Sequence, residues 1–83
     1  MNTKTYEISK HDSYKAVVLR ETASGCILQL DLENNNTAYA YAFANFSKGD
    51  VLRVTILKIY DDPFRHPLAG VDSVLSYFSE SVA

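Results

Sequence analysis

The stretch Phe46–Ile59, FSKGDVLRVTILKI, carries the strongest structural signal in the chain and governs how the rest is read. Gly49-Asp50 marks a turn, and from Val51 onward the apolar residues alternate, with Leu52, Val54 and Ile56 on one face. The phase then flips at Ile56-Leu57, after which Leu57 and Ile59 are apolar and Lys58 is polar. A flip within a single strand is what a bulge or a sharp coil in a barrel strand produces.

Upstream, Thr37–Phe43 (TAYAYAF) also has a period of two. Tyr39, Tyr41 and Phe43 share one face, and Ala38, Ala40 and Ala42 share the other. Alanine is a poor strand former, so the aromatic residues hold this segment extended. Periodicity alone leaves two arrangements open: the rings form an exposed stripe, or they form a wall of the core with the alanines outside. Glu33 and Asn34–Asn36 make a turn before this strand. Cys26–Leu32 alternates as well, Cys26, Leu28, Leu30 and Leu32 facing one way and Ile27, Gln29 and Asp31 the other. Thr22–Gly25 is a turn in which Gly25 is able to take a positive φ. Tyr14–Glu21 (YKAVVLRE) is a β-branched run with charged ends, expected to be a strand largely buried on both faces. Residues 1–13 read as a flexible lead-in or an edge strand, with Tyr6 and Ile8 as apolar anchors. Four strands joined by short turns, with no long helix, point to an all-β meander that closes on itself.

Downstream the pattern is less regular. Asp61-Asp62-Pro63 is a loop whose acidic pair initiates a turn, and Pro67 bars residues 64–69 from being a central strand. Val71, Val74, Leu75 and Phe78 fall at helical spacing with Asp72 near a helix N-terminus, although Ser73–Phe78 reads equally as a closing strand. The reading favours a short strand near Arg65–Leu68 followed by one or two helical turns. The organisation is then a lead-in over 1–13, a barrel over 14–70 and a tail over 71–83.

Composition bounds the function. The chain has 83 residues, enough for one small domain, and its 47% hydrophobic and 22% charged residues argue against disorder or low complexity. No apolar run approaches the roughly 20 residues of a membrane span, and the polar N-terminus lacks a signal core, so a cytoplasmic location without membrane contact is expected. The net charge is −2. Residues 1–60 carry seven basic and six acidic side chains, and residues 61–83 carry Arg65 against Asp61, Asp62, Asp72 and Glu80. No basic cluster of the kind that drives strong phosphate binding is present. Cys26 has no disulfide partner and reads as a small buried hydrophobe. His11 and His66 lack carboxylate or cysteine neighbours at ligand spacing, so no metal is expected. No nucleophile–base pair, apolar carboxylate pair or glycine-rich phosphate loop appears, and the chain is expected to be neither an enzyme nor a cofactor carrier.

FSKGDVLRVTILKI resembles the second half of an S1-type RNA-binding domain, where an aromatic residue, a Gly-Asp turn and a V-x-V-x-V-L-x-I strand occur in this order. The spacing of Tyr14–Glu21, Gly25–Leu32 and Thr37–Phe43 is similar to that family's first three strands, and Arg65–Ala69 looks like a worn form of its R-I-x-L-S closing strand. The resemblance spans Tyr14 to Ala69. It implies a small five-stranded OB-type barrel, with a short helical or extended C-terminal tail beyond it, whose strand 2–3 face binds single-stranded nucleic acid. Tyr39 and Tyr41 occupy the region where the family stacks bases on strand 3, and Asp61 and Arg65 match its Asp and Arg near strand 5. Gly25–Leu30 departs from the pattern in having no aromatic residue.

The expectation is therefore weak binding of single-stranded RNA. Tyr39 and Tyr41 would stack on bases, and Arg53, Lys58 or Arg65 would meet phosphate, with Lys15 and Arg20 the other cations within reach of a groove. The alternative is an adaptor that keeps the barrel and binds a protein partner, or pairs with a second copy through the apolar stripe of Val71–Ala83.

Overall fold

Residues whose side chains alternate between apolar and polar become strands when one face can be sealed from water, and this chain seals five of them into one cylinder. The computed structural model describes residues 8–32 and 36–76. They form β1 (Ser13–Glu21), β2 (Cys26–Asp31), β3 (Thr37–Ala42), β4 (Val51–Lys58) and β5 (Leu68–Ser76). The barrel is closed in the order β1-β2-β3-β5-β4, with β4 returning to β1. All pairings are antiparallel except β3 with β5, which is parallel and joined at Tyr41 and Leu68. This is an all-β, five-stranded OB-type barrel. Only its first three strands form a meander: β5 lies between β3 and β4, so the simple closing meander expected from the turn spacing is corrected to a barrel with a crossover.

The interior follows the alternation. Ala16 and Val18, Cys26, Leu28 and Leu30, Ala40 and Ala42, and Leu52, Val54 and Ile56 are all sealed inside. Each full burial of a Leu, Ile or Val contributes about 1.5–3 kcal/mol. Burial also pushes the Cys26 thiol above its ordinary pKa, a rise that the Glu21 and Asp50 charges reinforce and a hydrogen bond from the Phe46 backbone opposes.

Several expectations need correction. β1 is buried on one face only; Val17 and Leu19 are half-buried on the other, because a barrel has a single interior. Leu19 is the extra residue of a bulge between the Val18–Leu28 and Arg20–Ile27 pairs. The lead-in is not loose over its last residues. Ile8 belongs to the core, and the N–H of His11 and the carbonyl of Asp12 bond the backbone of Ile56 at 2.7 and 3.0 Å, extending the β1–β4 ladder. Residues 1–7, with Tyr6, lie outside the described residues.

Gly25 is required for a reason other than a positive φ. A Cβ there would stand 2.0 Å from the Ala42 carbonyl oxygen, so the tight β1–β2 turn depends on a bare backbone against the end of β3. Gly49 is the glycine in the left-handed region, at φ 97°. Its N–H donates to Val18 O at 2.8 Å, and Asp50, itself buried, accepts the Ser47 N–H on Oδ2 at 3.0 Å.

The bulge expected at Ile56-Leu57 is present: Ile56 faces Ala69 and Lys58 faces Leu68, leaving Leu57 as the inserted residue. The closing strand is displaced from its expected place. It begins after Pro67 rather than near Arg65 and runs to Ser76 with no helical turn. Opposite β4, Asp72 and Leu75 have no paired residue, so β5 carries two bulges. Each insertion turns a period of two into a step of three, which brings Val71 and Val74 to the core side and imitates helical spacing. The remainder of the proposed tail, residues 77–83 with Phe78, lies outside the described residues. Among the described residues no helix is long and apolar enough to cross a membrane.

Candidate functional site

With the alanines of β3 inside, its aromatic residues must stand outside. Tyr39 is 44% exposed, Tyr41 is half-buried and Phe43, just past the strand, is 69% exposed. Across the ladder, Tyr39 neighbours Gln29 and Tyr41 neighbours Ile27 of β2, so the two strands share one outer face. Tyr41 is fixed rather than free. Its hydroxyl is hydrogen-bonded to Thr22 Oγ1 at 3.0 Å and to Ser24 Oγ at 2.5 Å, and its ring meets Phe43 edge-on at 5.1 Å. Thr22 in turn closes the β1–β2 turn, donating its N–H to Gly25 O and accepting the Gly25 N–H on Oγ1.

The segment between β4 and β5 folds over this face. Tyr41 N–H donates to Pro67 O at 2.8 Å and pins the segment's end to β3. Its middle is a tight turn built by Asp62: the carbonyl accepts Arg65 N–H at 3.1 Å, and Oδ1 accepts Phe64 N–H at 2.9 Å. Phe64 rides on that turn at 92% exposure. The Arg65 guanidinium lies 3.8 Å from the centroid of the Tyr60 ring, and Lys58 Nζ lies 5.2 Å from the same centroid. Each such cation–ring contact contributes about 0.5–1 kcal/mol at an exposed site. His66 sits with its ring 6.2 Å from that of Tyr39, tilted by 52°.

Between these parts opens a cleft of about 330 Å³. Ser24 of the β1–β2 turn, Tyr41 and Phe43 form one side, and Tyr60, Phe64, Arg65, His66 and Leu68 form the other. Its walls are largely aromatic, and Ser24, Arg65 and His66 add polar groups to them. Among the described residues no group of three His, Cys, Asp or Glu side chains is placed to hold a metal ion.

Of the residues singled out from sequence, Tyr41 and Arg65 line the cleft, Tyr39 adjoins it through His66, and Lys58 reaches it through Tyr60. Asp61 is exposed where the segment begins. Arg53 stands elsewhere. It pairs with Lys15 of β1 and Ser73 of β5, and β1 and β4 form the wall across the cylinder from β3. Tyr60 and Phe64 were missed as site residues. Their signal is in Lys58–His66 (KIYDDPFRH), where two aromatic residues stand between two cations. No protein-family model, curated protein or solved structure matches the chain.

Proposed function

We propose that this chain is a non-enzymatic binding module that takes single-stranded RNA, weakly, on the outer face of β2 and β3 and in the adjoining cleft. One observation carries the reading: the aromatic row of β3 is turned outward and runs into a cleft where Arg65 is laid on Tyr60. Rings stack on bases whatever their sequence, each contributing about 1–3 kcal/mol, and the nearby cations meet phosphate. The low affinity follows from charge, since Asp61 and Asp62 stand beside Lys58 and Arg65 and no broad basic face supports them. Fluorescence anisotropy with labelled single-stranded RNA at low and high salt tests the proposal. Binding that weakens as salt rises is the expected result, and no salt-sensitive binding at tens of micromolar protein would overturn it.

A protein-binding adaptor is the second reading, favoured by Phe64, whose ring is presented to solvent by a well-braced turn. Self-association measured by sedimentation, lost in Phe64→Ser and unaffected by RNA, would move the balance to it.

A further inference from the structure

We infer that Tyr60 is a positioning residue that holds Arg65 as a pre-set phosphate ligand at the mouth of the cleft, so that the cleft takes a base together with its attached phosphate. This rests on the RNA-binding reading of the face and names the unit that the cleft takes, a single nucleotide. An exposed arginine ordinarily samples many rotamers and loses that freedom when it grips an anion. Arg65 has given up much of it beforehand. Its guanidinium is 3.8 Å from the Tyr60 centroid, the spacing of a plane laid on a ring. Its backbone is set as well, by the Arg65 N–H bond to Asp62 O and the bond from its neighbour Phe64 to Asp62 Oδ1.

Among the described residues no ion pair engages the guanidinium, which leaves its N–H groups for an anion that arrives with the ligand. Lys58, 5.2 Å from the same centroid, means that one ring gathers two cations. The cleft beside them, about 330 Å³, lies at the lower end of small-molecule sites, which run from roughly 300 to 1,000 Å³. That suits one nucleotide rather than a run of stacked bases. Tyr60 thereby does for Arg65 what a bound carboxylate commonly does, fixing its direction, but without cancelling its charge.

Chemical-shift titration of the full chain with adenosine and with adenosine monophosphate, as probes, reads the share of the phosphate directly. The unaltered protein should bind the monophosphate roughly tenfold more tightly than the nucleoside. Tyr60→Phe keeps the ring and should keep that ratio, whereas Tyr60→Leu should reduce it to about twofold. The ratio is the informative quantity, because general loosening of the cleft would weaken both probes alike. Arg65→Gln changes an exposed side chain outside the core and should abolish the preference, which keeps the test open even if Tyr60→Leu folds poorly. A Tyr60→Leu protein with the original ratio overturns the positioning role and leaves base binding by the cleft standing. Equal binding of the two probes by the unaltered protein also overturns it. Failure of both probes and of single-stranded RNA removes the functional reading, and this inference with it.

Discussion

β3 and β4 are built with opposite distributions of bulk. β4 turns Leu52, Val54 and Ile56 inward, all fully buried, and sends Arg53 and Lys58 to solvent. β3 turns Ala40 and Ala42 inward and sends Tyr39 and Tyr41 out. The inner half of this contrast is a matter of volume. Ala40 faces Leu28 across the ladder and Ala42 faces Cys26, so small residues on β3 leave room for the leucines of β2 and the aliphatics of β4. The outer half has no such cause. At Tyr39 threonine or valine would hold β3 extended just as well, whereas the Tyr41 hydroxyl also braces the β1–β2 turn through Thr22 and Ser24. The contrast separates residues that fill the cylinder from residues turned toward solvent.

The inner half can be broken from either side. Leu52→Ala should cost about 2–5 kcal/mol, the lost transfer energy plus the cavity left in a closed interior. Ala40→Leu should cost about 1–3 kcal/mol by overpacking against Leu28. Urea midpoints at constant slope measure both. If Ala40→Leu is neutral, the inner face of β3 is not limited by space, and the volume argument fails.

Sequence legibility divides along the same line. The period of two in Cys26–Leu32, Thr37–Phe43 and Val51–Ile56 was sufficient to place three strands and the inserted Leu57, because alternation records which face meets the core. It could not say which face of β3 was inside, since alanine and tyrosine both occur in either setting. That depended on the volume supplied by other strands. β5 was misread because two bulges replaced its alternation with steps of three, and because the strand begins only after Pro67. The role of Gly25 was hidden for a similar reason: its constraint is a carbonyl of β3, remote in sequence. Of the candidate cleft, Tyr41 and Arg65 were singled out from sequence, whereas Tyr60 and Phe64 gained a place beside them only because the β4–β5 segment folds back over β3, which the residue pattern of Lys58–His66 does not reveal.

The outer half predicts that stability and binding come apart. Tyr39→Thr removes a partly exposed ring with no interior contact to lose and keeps a strand-forming residue, so the unfolding midpoint should shift by no more than about 0.5 kcal/mol equivalent. Affinity for single-stranded RNA should fall by about 1–3 kcal/mol if that ring stacks on a base. A loss of both together would mean that Tyr39 belongs with the structural residues, and the separation drawn between the two halves of β3 would be lost.

The smallest expected effect is the most discriminating. Arg53 and Arg65 are both exposed arginines, and either one removes a positive charge when changed to glutamine. They differ in place: Arg53 is beside Lys15 on the wall opposite β3, and Arg65 is at the cleft. A side chain that meets phosphate releases counterions, and for single strands each such contact contributes about 0.7 to the slope of log affinity against log salt. Arg65→Gln should therefore flatten the slope by about 0.7, while Arg53→Gln should leave it within error of the unaltered protein. Equal flattening by both would mean that the ligand feels the net charge of the whole barrel rather than a local contact, and the cleft would lose its claim to be where phosphate is held. Flattening by Arg53→Gln alone would move the binding face to the β1–β4 wall, making the outward tyrosines of β3 bystanders.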